Sequence, residues 1–357
     1  MFEIYNTLSF NTDALVDGKE YDYVTRTSFN QGVLRTTGFV NKANINSAGT
    51  WSLGLLQMDF FYRSKEWYAG QFVRKIAPKI EIPQKAVMFF TTVLNKQKKA
   101  LLSVLVRDVD KTFRETIVRL PIKNNKINFD FMESFIAELE AERIAELSAY
   151  LTVSGLDNYE LSEEEEKAID EYGSLTFGEY CSTEIFDIKN TSNILSRDVI
   201  PDSGTTPYLC ASSENNAVST YIEYNSRFLE KGNCIFIGGK TFVVSYQEND
   251  FYSNDSHNLA LYLKNTKKTK LNQLYLVTCI YKSLSHKYSW GNSISKTKIN
   301  ADKICLPQKN GNPDYESMET LISAIQKLVI KDVVIYSDRK IQAANKVVSA
   351  KQRGAER

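Results

Sequence analysis

Apolar residues Met132, Phe135, Ile136, Leu139, Ile144, Leu147 and Tyr150 recur at spacings of three, four and seven, with one break at Arg143. This period belongs to one face of a helix, and it predicts a helix over residues 132–150. The pattern returns 186 residues later, where Leu321, Ile322 and Ile325 follow Met318 and the same offset lays Ile330 over Ile144, Val333 over Leu147 and Tyr336 over Tyr150. Upstream of the first helix the pattern changes. Short β-branched and aromatic runs at residues 39–40, 58–62, 71–73 and 101–106, set between Gly, Asn and Asp, predict strands, with one helix over about residues 85–94.

A helix that recurs so far along the chain raises the question of whether everything before it recurs too. It does, in the same order. Phe2-Glu3-Ile4 matches Phe186-Asp187-Ile188, and residues 23–30 lie over residues 208–215. Trp67-Tyr68-Ala69 lies over Phe251-Tyr252-Ser253, and Leu120-Pro121 over Leu306-Pro307. Two units of about 185 residues are a tandem duplication, since solenoid repeats are far shorter. The expected fold is therefore α+β: two strand-rich domains, each followed by a long helix. At 357 residues the chain is long enough for two such cores.

The net charge of +1 conceals a division. Between Asp130 and Asp187 there are 17 acidic residues against only Arg143 and Lys167, which leaves an excess of 16 positive charges on the remainder. Two basic bodies joined by an acidic connector suit contact with a polyanion, although a solvated acidic helix accounts equally well for the connector itself. Ser162 before Glu163-Glu164-Glu165-Glu166 is placed to cap a further short helix. The final helix carries Lys327, Lys331, Arg339, Lys340 and Lys346, whereas the first carries Glu133, Glu138, Glu140, Glu142 and Glu146. Opposite charge and matching apolar stripes predict an antiparallel coiled coil through Met132, Phe135, Ile136 and Leu139 on one side and Leu321, Ile322 and Ile325 on the other.

Several segments carry candidate chemistry. Thr25-Arg26-Thr27-Ser28-Phe29-Asn30-Gln31-Gly32 gathers short polar groups and one guanidinium, which can bond phosphates and base edges, a composition that ordinary turns share. Residues 286–292 followed by Lys296, Lys298 and Lys303 interleave basic residues with rings that can stack, or form a solvated loop with a half-buried Trp290. Gly238-Gly239-Lys240-Thr241 ends like a phosphate-cradling loop, but Cys234 stands where the motif needs glycine, so Lys240 reads better as a phosphate contact than as a nucleotide binder. The five cysteines have neither a paired framework nor metal-binding spacing. With two histidines, no Walker or Rossmann glycines, no G-x-S-x-G and no amino-methyltransferase tetrad, the chain shows no catalytic constellation of its own. The absence of a long apolar run or an N-terminal signal pattern leads us to expect a cytoplasmic protein that does not enter a membrane.

Two strand-rich units each followed by a helix, Phe-x-Ile opening each unit, a Tyr-x-x-x-Ser/Thr-Ser loop, a Leu-Pro before each helix and residues 327–334 in the last one together resemble a DNA specificity (S) subunit. Such subunits serve type I restriction-modification systems and the related type IIB, BcgI-like systems, and the modest length leans toward the latter. The resemblance covers nearly the whole chain. It implies target-recognition domains at residues 1–128 and 183–312, helical regions at 129–182 and 313–357, and a split double-stranded DNA site read by one domain per half. It further implies two methyltransferase, or fused methyltransferase-nuclease, subunits as partners, and those partners rather than this chain would hold S-adenosylmethionine and Mg2+ and flip the target adenine. The implied DNA contacts are Arg26, Thr27, Ser28, Asn30, Arg63 and Lys65 in the first domain, and Ser212, Asn215, Asn216, Lys240, His257, Trp290, Lys296 and Lys298 in the second. The rival reading is a stand-alone two-domain DNA-binding regulator without a modification partner.

Overall fold

The computed structural model describes residues 1–265 and 267–355, with backbone alone from residue 345. It divides into two units: Met1–Leu147 with the chain from Lys340 onward, and Ser148–Arg339. The division runs through both long helices. The expected boundaries set each helix after its domain.

The first unit contains strands β1 (Phe2–Asn6), β2 (Tyr21–Val24), β3 (Val33–Thr37), β4 (Thr50–Gly54), β5 (Phe60–Arg63), β6 (Trp67–Ala69) and β7 (Val73–Pro78). Four of them form an antiparallel sheet in the order β1-β7-β4-β5, and the others form a smaller sheet, β3-β2-β6, in which β6 runs parallel to β2. Helices α1 (Val87–Asn95), α2 (Lys98–Leu102) and α3 (Val109–Glu115) follow. Trp51 and Leu53 of β4, Phe60 of β5 and Ile76 of β7 meet Phe90 and Phe113 of α1 and α3 in one core. Burying each such side chain stabilises the unit by about 1.5–3 kcal/mol. The Trp51 indole satisfies its N–H on Thr91 Oγ1 at 2.8 Å. The other face of β4 presents Thr50 and Ser52, both buried under polar partners.

Residues 101–106, expected as a strand, are instead the end of α2, a short loop and the start of a 3-10 turn. A short apolar run suits either state, and here only Leu101 is buried while Leu102 and Leu105 face solvent. Phe39-Val40 is also not a strand, and the N–H groups of Val40 and Asn41 donate to the Tyr68 hydroxyl at 3.0 and 3.2 Å. Met58 and Phe72 have φ of +55° and +61°, so their strands begin only at Phe60 and Val73. A hairpin, β8 (Ile122–Lys123) and β9 (Lys126–Ile127), then leads into α4 (Phe129–Val153).

Helix α5 (Glu163–Asp170) is capped as expected: Ser162 Oγ accepts from the Glu165 N–H at 3.3 Å and the Glu165 carboxylate accepts from the Ser162 N–H at 2.8 Å. The second unit continues with β10 (Phe177–Cys181), α6 (Ser182–Ile185), β11 (Phe186–Asn190), β12 (Thr206–Leu209), β13 (Val218–Ile222), β14 (Cys234–Ile237), β15 (Val244–Gln247), β16 (Tyr252–Ser253) and β17 (Leu259–Leu263). Its sheets run β11-β17-β14-β15 and β13-β12-β16, the same two orders as in the first unit. The registers agree as well, with Arg63 opposite Thr50 and Gln247 opposite Cys234. The duplication is thus one of backbone topology and not only of sequence.

Helix α7 (Lys270–Leu284) is absent from the expected elements, although Thr269 caps it and Leu276, Ile280 and Leu284 bury one face in the core. After α8 (Lys296–Ala301), strand β18 (Lys303–Lys309) pairs with β10 and β19 (Asn312–Pro313) before α9 (Tyr315–Ala355) begins.

The acidic connector is only partly a hydrated surface. Glu165 is buried, ion-paired with Lys327 of α9 at 2.8 Å and hydrogen-bonded to Ser323, while Lys331 lies 6.0 Å from the Tyr159 ring. The expected coiled-coil residues also behave differently. Met132 is in the first unit's core, and Leu321 with Ile322 belongs to the second unit's core, so these three spend their apolar surface on their own domains. Phe135 packs edge-on against Phe89, with ring centres 6.2 Å apart. Ile136 is half-buried, and Leu139 and Ile325 are 39% and 42% exposed.

Candidate nucleic-acid interface

The loops joining β2 to β3 and β12 to β13 share one unusual backbone. Asn30 and Gln31 both have positive φ (46° and 52°), and so do Asn215 and Asn216 (47° and 52°). A third positive φ follows at Gly32 and at Ala217. The same bonds close both loops. The Thr25 N–H donates to the Gly32 carbonyl at 2.8 Å and the Cys210 N–H to the Ala217 carbonyl at 2.9 Å. Asn30 Nδ2 reaches the Val33 carbonyl at 3.0 Å and Asn215 Nδ2 the Val218 carbonyl at 3.1 Å. The Phe29 N–H finds Thr27 Oγ1 at 3.2 Å, as the Glu214 N–H finds Ser212 Oγ at 3.1 Å. These bonds close each loop from within, and Phe29 and Glu214 at the tips are exposed.

Each loop packs against the hairpin after β4 or β14, and the fit is close. A Cβ on Gly54 would stand 2.9 Å from the Arg26 Cα, and one on Gly238 would stand 2.7 Å from the Ala211 Cβ. The Gly238-Gly239-Lys240-Thr241 stretch is therefore a hairpin turn in which glycine allows backbone contact. Clefts of about 470 Å³ and 630 Å³ lie beside the two loops, the first bordered by Arg26, Thr27 and Gln57, the second by Ser212, Asn216 and Thr241.

In the first unit, Arg26, Ser28 and Asn30 are exposed and Thr27 is half-buried. Arg26 lies 5.3 Å from the Phe72 ring, and Ser28 donates to Asp59, whose other partner is Lys98 at 2.6 Å. Arg63 does not fit the role of a DNA contact, and Lys65 lies apart from the loop. Arg63 is 4% exposed, bonded through Nε and Nη2 to Ser52 Oγ at 3.0 and 2.7 Å and through Nη2 to the Gln31 carbonyl. Burial pulls its guanidinium down to about 10. Lys65 is ion-paired with Asp22 at 2.8 Å and bonded to the Lys19 carbonyl, at the start of β2, whereas the loop leaves its end.

In the second unit, Ser212, Asn215 and Asn216 sit on the loop as expected, and Asn216 also ties back to the Tyr246 carbonyl at 2.9 Å. Lys240 and His257 converge on Asp255 at 2.9 and 2.8 Å. Burial alone would raise that carboxyl, but hydrogen bonds from His257 and Lys240 and the Lys240 charge outweigh it and hold Asp255 at about 2. The hairpin joins the next segment through the Ile294 N–H, which donates to the Gly239 carbonyl at 3.1 Å. There Trp290 is 79% exposed, and Lys298 is held by Asn292 and the Ser293 carbonyl at 2.9 and 2.7 Å. Lys296 is exposed at the start of α8. The polar candidates of the second unit thus share one continuous run of loop, hairpin, turn and α8.

Two residues at the first tip were not among the expected contacts. Phe29 is 85% exposed, and Phe72 lies half-open beneath Arg26. A lone phenylalanine inside a polar loop was the available signal. Exposed rings can stack on bases or wedge between them, Arg can pair with guanine and Asn with adenine, and Glu214, which takes the place of Phe29 in the second loop, can accept from a cytosine amino group. Among the described residues no group of His, Cys, Asp and Glu is placed to hold a metal ion. Burial pushes the Cys234 and Cys279 thiols up to about 12, which makes them poor nucleophiles.

The family model for the type I restriction modification DNA specificity domain matches this chain twice, over residues 1–149 and 176–334. The chain belongs to the type I restriction-modification DNA specificity family. It is a specificity subunit, non-catalytic in itself, whose system keeps its catalysis in partner subunits. The chain is 22% identical over 276 residues, 76% of its length and 75% of the relative's, to the specificity subunit of the BcgI type II restriction enzyme from Heyndrickxia coagulans. Its fold resembles the crystal structure of the type I restriction-modification S subunit from M. genitalium, with a TM-score of 0.57 at 13% identity over 98% of this chain and 92% of that one. Membership in this family favours a specificity subunit over a stand-alone regulator, and the two matches coincide with the two repeated units.

Proposed function

We propose that this specificity subunit reads a bipartite site on double-stranded DNA, each half-site by one of the two left-handed loops with its flanking hairpin. The observation that carries the reading is the pairing of a common loop backbone with different tip side chains: Arg26, Phe29 and Gln31 in one loop stand where Ala211, Glu214 and Asn216 stand in the other. One scaffold with two sets of base-contacting groups is what a protein reading two unlike half-sites needs. The partners are methyltransferase subunits, alone or fused to a nuclease, two for each copy of this chain, in the cytoplasm. They bind S-adenosylmethionine and Mg2+ and act on the adenine that this chain selects. Exposed apolar residues on the long helices outside the expected coiled-coil seam, Phe131 and Val153 on α4 and Leu328 and Val329 on α9, offer them two docking surfaces. Among the described residues no helix is long and apolar enough to cross a membrane.

Methylation profiling of DNA from cells that carry this gene with its neighbours tests the reading. The expected result is methylated adenine in two short conserved sequences at a fixed separation, and a single continuous motif would overturn it. The helices are proposed to pair and to act as the spacer. Deleting whole turns from α4 would then shorten the separation and leave both half-sites unaltered.

A further inference from the structure

The last residue of the edge strand β5 is Arg63, and the matching position of β15 is Gln247, fixed as equivalent by the register of each hairpin. Both are buried. Both donate to the carbonyl of the second left-handed residue in the neighbouring loop, Arg63 Nη2 to Gln31 and Gln247 Nε2 to Asn216 at 3.0 Å. Both are braced by a serine hydroxyl behind them, Ser52 for Arg63 and Ser245 for Gln247 at 2.9 Å. Two unlike side chains thus do one job at one place in each copy.

A left-handed conformation costs a non-glycine residue about 1–2 kcal/mol, and each loop holds two such residues in succession. Gln31, unlike asparagine, has no special tolerance for that region. A loop of this shape therefore needs a tertiary restraint. We infer that Arg63 and Gln247 are the positioning residues that lock the two reading loops, each governing the base preference of its own half-site without touching DNA. The inference rests on the half-site reading above.

The test uses the complete complex purified from cells carrying the neighbouring genes and a duplex library in which one half-site is fixed and the other randomised. Arg63→Ala is expected to lower base discrimination in the first half-site at least tenfold and to leave the second unchanged. The slope of log affinity against log salt should stay the same, whereas loss of a phosphate contact would reduce it by about one. Arg63→Gln, which borrows the second unit's donor, should keep discrimination within about threefold of the parent. Gln247→Ala should give the mirror result and carries the test if Arg63→Ala does not fold. Unchanged discrimination, a slope reduced by about one, or equal relaxation of both half-sites would overturn the inference. A parent complex that selects no two-part site overturns the half-site reading instead.

Discussion

The two reading loops differ most in what stands beside an otherwise shared backbone. In the first, a guanidinium holds the Gln31 carbonyl and a second one, Arg26, lies over Phe72. In the second, a neutral carboxamide holds Asn216, and the nearby charge is concentrated on Lys240 and Asp255, the latter also bonded by His257. The lesson is that the duplication kept the geometry of the tip and let the chemistry behind and in front of it diverge. A left-handed turn can be secured by any buried donor of the right reach, so the donor's charge is free to change.

The largest effect comes from breaking one core and leaving the other. Trp51 and Ile235 occupy matching places on the central strands. Trp51→Ala should destabilise the first unit by about 3–5 kcal/mol, and hydrogen exchange should show its amides opening while those of the second unit stay protected. Changing the tip comes next. Arg26→Ala with Phe29→Glu copies the second loop at its two most different positions and should weaken binding to the first half-site by about 10–100-fold, read by titration against a duplex with the second half-site held constant.

A smaller effect separates the units by pH. The Asp255 carboxyl is held at about 2, below its unfolded value of about 3.9. A depressed folded value adds stability that is fully present above about pH 4 and disappears as pH falls through about 2. Asp255→Asn should therefore cost the second unit about 1–2 kcal/mol at pH 7, after discounting for solvent screening, and almost nothing well below pH 2. Urea denaturation at a series of pH values would reveal this, and a constant gap across pH would contradict it. The smallest effect concerns Ala217, which adopts φ of +69° where the first loop has Gly32. Ala217→Gly should raise stability by up to about 1 kcal/mol, and Gly32→Ala should lower it, the added Cβ meeting Arg63 Nη2 at 3.2 Å. Thermal denaturation of both variants gives the signs.

Much of this organisation is visible in the amino-acid order. The offset of about 185 residues identifies the duplication because apolar frames keep their spacing when loops diverge. The polar loop after β2 stands out for a related reason, since its composition changes abruptly between two apolar runs. The burial of Arg63 is not legible because charge in a sequence suggests exposure, whereas its partners Ser52 and Gln31 are distant along the chain and come together only when the sheet forms. Met132, Leu321 and Ile322 have the period of a coiled-coil seam, but periodicity reveals that a helix has an apolar face and not which surface covers it. Helix α7 is hard to see in the sequence because polar Asn272 and Gln273 occupy buried positions of its stripe, and its partners on β18 are remote along the chain.

The internal bonds of each loop have an evolutionary corollary. Since Thr25 with Gly32, and Cys210 with Ala217, close the turns through main-chain atoms, and Asn30 and Asn215 brace them with left-handed backbone and side-chain amides, the exposed side chains of Phe29 and Glu214 carry little of the folding burden. Point substitutions there can drift into new target sequences without first crossing a valley of unfolded intermediates, so a host can diversify what it defends against at almost no structural risk.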